Sequence, residues 1–118
     1  MTESEQVKVL NALYGYKKFK RLVGPLGGGS VLISIDDGEV STMSEAELRL
    51  SVMLAERVHD FFDTQDETKG EFVRLYFFER VGWLRLTHLL PISRSTVFNW
   101  RREVVNTAER IARKITFI

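Results

Sequence analysis

Leu90-Pro91-Ile92-Ser93 is the stretch that restricts this chain most. Proline has no amide hydrogen and its ring clashes with a preceding helical turn, so the helical spacing over residues 84–90 must stop there. Ser93 can then cap a second helix, its hydroxyl satisfying an orphan amide of the first turn. Two helices joined by so tight a turn cross steeply. Leu86, Leu90, Ile92, Val97 and Trp100 fall on the inside of the angle. Arg94, Ser95, Phe98, Asn99 and Arg102 stay outside, and the second helix is expected to run from about 94 to 114.

The rest of the chain predicts a mainly α protein with one small hairpin. Apolar residues at Val7, Leu10, Leu13, Tyr14, Phe19 and Leu22 predict a helix over about 3–23, ending in the basic cluster Lys17-Lys18-Phe19-Lys20-Arg21. That cluster reads equally as a phosphate contact or as a solvated helix end. Gly24-Pro25-Leu26-Gly27-Gly28-Gly29-Ser30 reads as a linker or loop; it lacks the ending of a phosphate-binding P-loop. A β-branched run and Asp36-Asp37-Gly38 predict a short hairpin near 31–41. Ser44 with Glu47 predicts a capping box opening a helix to about Phe62. Its apolar face spans Leu48, Leu50, Val52, Met53, Leu54, Ala55, Val58, Phe61 and Phe62. A face that broad requires more than one neighbour, and a dimer seam is one candidate. Thr68 with Glu71 repeats the capping pattern, and that helix is expected to stop at Gly82.

Several functions are excluded or disfavoured. The chain has no cysteine, which removes disulfides, zinc–thiolate sites and thiol nucleophiles. No apolar run approaches the roughly 20 residues of a membrane span, and the acidic N-terminus has no signal-like stretch, so a cytoplasmic protein without membrane contact is expected. His59 and His88 fall on different helices with no metal-ligand spacing. Glu56, Asp60 and Asp63 share a helix flank but face no nucleophile or base. Neither an enzyme nor a bound cofactor or metal is expected.

Charge divides unevenly within the 118 residues. Residues 67–118 carry ten Lys or Arg against five Asp or Glu, a net +5, while residues 1–66 carry seven against eleven, a net −4. A basic segment attracts polyanions through counterion release from phosphate. The outer residues of the second motif helix suit base edges: arginine can bridge guanine O6 and N7, asparagine can pair with adenine, and an aromatic can meet the thymine methyl. A C-terminal segment, 67–118, is therefore expected to bind double-stranded DNA, beside an N-terminal segment, 1–66, that dimerises or contacts a partner.

Ile92-Ser93-Arg94-Ser95-Thr96-Val97 resembles the start of the recognition helix in the fourth region of sigma factors, and residues 72–90 resemble its two supporting helices. Val104-Val105-Asn106-Thr107-Ala108-Glu109-Arg110-Ile111-Ala112 is similar to the end of phage late-transcription regulators of the ArpU and RinA kind. The resemblance covers about 67–114. It implies that Ser93, Arg94, Ser95, Asn99 and Arg102 face the major groove, with Arg85 and Arg101 nearer the phosphates. Thr87 and Pro91 depart from the pattern, which has a small residue and glycine there, and Trp83 and Trp100 are unusually bulky. The rival expectations are a protein-docking module, such as a sigma-binding or phage assembly factor, and a DNA-packaging or recombination accessory protein.

Overall fold

Thr2 starts the fold. Its hydroxyl accepts from the Glu5 amide at 3.2 Å while the Glu5 carboxylate accepts from the Thr2 amide at 2.9 Å, so α1 (Glu3–Tyr14) opens on a full capping box. The helix expected to continue to residue 23 is broken at Gly15, and α2 (Tyr16–Val23) follows. A Cβ on Gly15 would lie 2.7 Å from both the Asn11 carbonyl oxygen and the Phe19 ring, too close for any other residue at this break. The computed structural model describes the backbone of residues 1–23, 30–34 and 40–118 and the side chains of 1–23 and 42–118. Of the glycine-rich loop expected over 24–30, residues 24–29 lie outside the described residues, as does the turn expected at Asp36-Asp37-Gly38, while Ser30 begins a strand.

Strands β1 (Ser30–Ser34) and β2 (Val40–Ser44) pair antiparallel, with Ser30 opposite Ser44 and Ser34 opposite Val40. β2 leads directly into α3 (Glu45–Gln65), because Ser44 both ends the strand and caps the helix, accepting from the Glu47 amide at 3.2 Å. α3 is the central helix. It packs against α1, α2, α4 and α6 and buries Leu48, Val52, Leu54, Ala55, Val58 and Phe62. The several neighbours that its broad face requires are thus supplied by the same chain. Met53 and Phe61 are its apolar residues left exposed.

Asp66 joins α3 to α4 (Glu67–Val73). Its amide donates to the Phe62 carbonyl, closing α3, and its carboxylate accepts from the Thr68 amide at 2.9 Å, opening α4. The cap expected at Thr68 therefore sits two residues earlier, where one residue serves both helices. After Val73 the backbone widens into a π-helical turn, Arg74–Phe78. Gly82 does not end this helix. Arg80, at φ 59°, takes the left-handed position, and the Val81 amide donates to the Leu75 carbonyl at 2.9 Å. Gly82 is extended and serves as the N-cap of α5.

α5 (Trp83–Leu89) and α6 (Arg94–Lys114) flank the turn at 90–93. One apolar cluster runs from Val9 in α1 through Phe62, Phe72 and Phe77 to Val97, Val104, Ala108 and Phe117. The two segments read from the sequence therefore share a core. Its aromatic centre sets Phe72 edge-on to Trp100 at 5.6 Å and stacked on Tyr76 at 5.3 Å, with Tyr14 against Phe77 at 5.2 Å. Trp100 is thus tied to α4 and Tyr14 joins α1 to the π-turn, while α5 is held from outside by the π-turn and α6.

Candidate nucleic-acid interface

Leu86 and Val97 anchor the crossing of α5 and α6, and both are fully buried. Full burial of one such side chain stabilises by about 1.5–3 kcal/mol, and Leu86 is the one fully buried residue that α5 contributes. Leu90, Ile92 and Trp100 pack around them, partly buried. The inside of the angle is thus filled by the five residues that the spacing singled out. Thr87, where the sigma-like pattern has a small residue, donates its hydroxyl to the Leu84 carbonyl at 2.7 Å, so its polar atom is satisfied within α5. Pro91 is exposed in the turn.

Ser93 begins α6. Its hydroxyl accepts from the Thr96 amide at 3.2 Å and lies 3.1 Å from the Ser95 hydroxyl and 3.0 Å from that of Thr96. One oxygen thus fixes the first turn and holds the exposed Ser95 hydroxyl beside it. Arg94, Ser95, Phe98, Asn99 and Arg102 are all exposed on the first nine residues of the helix, and Arg85 and His88 are exposed on α5. Arg101 stands apart from this group. It turns inward to Tyr14 and Tyr76; burial works against its charge, but the Tyr14 hydroxyl beside it holds its pKa above the ordinary value.

The ion pairs are distributed unequally. Lys17 meets Glu79 at 2.9 Å, Lys20 meets Glu56 at 3.0 Å, Lys69 meets Glu103 at 3.0 Å and Arg74 meets Glu71 at 2.8 Å. At the far end of α6, Glu109 receives the N-terminal ammonium at 3.3 Å and Arg113 at 3.2 Å. Among the described residues Arg85, Arg94 and Arg102 meet no carboxylate. The sequence gives the reason: between Glu79 and Glu103 there are five arginines and neither Asp nor Glu. The basic cluster at Lys17 to Arg21 differs, since Lys17 and Lys20 are paired and Phe19 is buried in the core.

Arg94 does have neighbours of another kind. Its guanidinium carbon lies 4.7 Å from the centroid of the Trp83 ring and 5.7 Å from that of Phe98. Trp83 was not among the expected site residues, although its bulk at the head of the first motif helix marked it as unusual. The surface there is also apolar: Leu84 is 59% exposed, Leu89 50%, Phe98 40% and Trp83 37%. Among the described residues no group of three His, Asp or Glu is placed to hold a metal ion, and no helix is long and apolar enough to cross a membrane. No protein-family model, no curated protein and no solved structure matches the chain.

Proposed function

We propose that this chain is a sequence-specific double-stranded DNA-binding protein that regulates transcription, with α6 as the helix that enters the major groove. The observation that carries the reading is the face formed by α5 and the first half of α6, whose exposed Arg85, Arg94 and Arg102 have no carboxylate partner among the described residues, whereas Lys17, Lys20, Arg49, Lys69, Arg74 and Arg113 elsewhere in the fold each meet one. Unneutralised guanidinium groups leave their charge available to phosphate and their donors available to guanine. The sigma-like resemblance supports the same assignment and suggests a phage or prophage setting with RNA polymerase as a second partner. A homodimer would present two copies of α6 about one helical turn of DNA apart. Met53 and Phe61 on α3 are the apolar residues left for such a seam.

Selection from a random duplex pool at near-physiological salt tests the reading, with the natural protein beside an Arg94→Ala, Asn99→Ala, Arg102→Ala variant. An enriched motif that disappears in the variant is expected. Arg85→Ala should weaken binding to all sequences alike and make the slope of log K against log salt shallower by about 0.9, the loss of one phosphate contact. A second reading is favoured by the exposure of Leu84 and Leu89, which DNA does not require. In it the same face docks a protein, as a sigma-binding or phage assembly factor or a packaging or recombination accessory would. Binding that ignores salt, with no enriched motif, would favour that reading.

A further inference from the structure

We infer that Trp83 is a positioning residue for Arg94, and that the site it prepares is a guanine in the DNA target; the inference rests on the DNA-binding reading above. Arg94 is the first residue of α6, the end of a recognition helix that approaches base edges. Its guanidinium lies against two rings on different elements, Trp83 at the head of α5 and Phe98 one turn along α6. With no carboxylate to draw it aside, the group rests on those rings through the attraction of a cation for an aromatic face. An arginine held in this way still has its in-plane N–H groups to offer, and that flat fork matches O6 and N7 of guanine. Part of its rotamer freedom is already lost in the free protein, so less is lost on binding.

The alternative is that Arg94 serves phosphate alone, as a charge. The two roles separate on one substitution: lysine keeps the charge but has no planar fork. Selection from the random duplex pool is therefore run on the natural full-length chain, Arg94→Lys, Trp83→Ala, Trp83→Leu, Trp83→Phe and the Trp83→Ala, Arg94→Lys double variant. Thermal melts confirm that each is folded, and Trp83→Leu maintains apolar packing should Trp83→Ala fail to fold. The expected result is a motif containing one guanine whose preference, about 5- to 150-fold in the natural protein, collapses in Arg94→Lys.

Trp83→Ala and Trp83→Leu should flatten the same base pair and weaken the selected site by about 2- to 10-fold. Affinity for non-specific duplex should stay unchanged, and Trp83→Phe should restore the preference. The double variant should be no worse than Arg94→Lys alone. A guanine preference that survives both Trp83→Ala and Trp83→Leu, or that survives Arg94→Lys, overturns the inference while leaving DNA binding intact. Failure of the natural protein to enrich any motif overturns the DNA-binding reading, and this inference with it.

Discussion

Tyr16 holds its proton unusually firmly. Burial raises the phenol first, and its hydrogen bond to Glu56 at 2.8 Å adds to that, so its pKa is pushed up to about 12 from 10.0. Burial also works to raise Glu56, but hydrogen bonds from Lys20 and Tyr16 outweigh it and the carboxyl ends below its ordinary 4.5. The signs are opposite. The Tyr16 contribution is present below pH 10 and is lost as pH rises through about 12, because the unfolded phenol ionises earlier. The Glu56 contribution is present above 4.5 and is lost as pH falls through its lowered folded value. Tyr16→Phe keeps the ring on Phe78, 4.4 Å away, and should flatten the alkaline loss of stability relative to the natural protein; urea midpoints at about pH 9 and 11 check it. Gly70 offers a second test at this scale. A Cβ there would lie 2.8 Å from the Asp63 Cα, so Gly70→Ala should destabilise by about 1–3 kcal/mol despite the better helix propensity of alanine. A urea titration in which Gly70→Ala is as stable as the natural chain would contradict the close approach of α3 and α4.

The ends of the helices show what each one depends on. α6 closes on a Schellman turn, in which the Phe117 amide donates to the Ala112 carbonyl at 2.8 Å and Thr116 takes φ 61°. A β-branched residue is strained there and glycine is not, so Thr116→Gly should stabilise by about 1 kcal/mol in the same titration. The Ser44 and Ser93 caps could be read directly from the sequence because capping is settled within three residues, and α6 was legible from 94 to 114 for that reason. The Thr2-Glu5 box carries the same signal in the sequence. The left-handed Arg80 could not be read so, because it answers to a contact remote in sequence, and the break at Gly15, although its close neighbours Asn11 and Phe19 lie only four residues away, interrupts a spacing that fits one continuous helix. The Arg80 guanidinium lies over the Tyr14 ring, 5.1 Å from its centroid. The exposed residues of α6 were legible from helical spacing alone, whereas the placement of Arg101 against Tyr14 and of Arg94 against Trp83 needed the packing of other helices.

The larger of the two apolar clusters among the described residues draws on both segments, and the smaller one, Phe19, Leu48 and Val52, shares α3 with it, so the molecule should unfold in one step. Phe62 from the first segment and Phe72, Val97 and Val104 from the second are buried in the same cluster. Far-ultraviolet dichroism, which follows all helices, and the fluorescence of Trp83 and Trp100, which follows the second segment, should give coincident urea transitions. Residues 67–118 made alone should not fold, since the inner stripes of α4 and α6 would then face water; a cooperative melt from that fragment would show two domains. Leu86→Ala should cost about 2–5 kcal/mol and loosen α5 first, because α5 is held chiefly by the π-turn and α6. The two sides of α6 have separate duties. Val97, Val104, Ala108 and Ala112 are locked into the core, while Ser95, Phe98, Asn99 and Arg102 are exposed, Ser95 meeting only the Ser93 cap and Phe98 the Arg94 guanidinium. That face behaves like movable type in a fixed frame: Asn99 and Arg102 can be reset freely, Ser95 and Phe98 together with the neighbours they touch, and a new message can be composed with the press left standing.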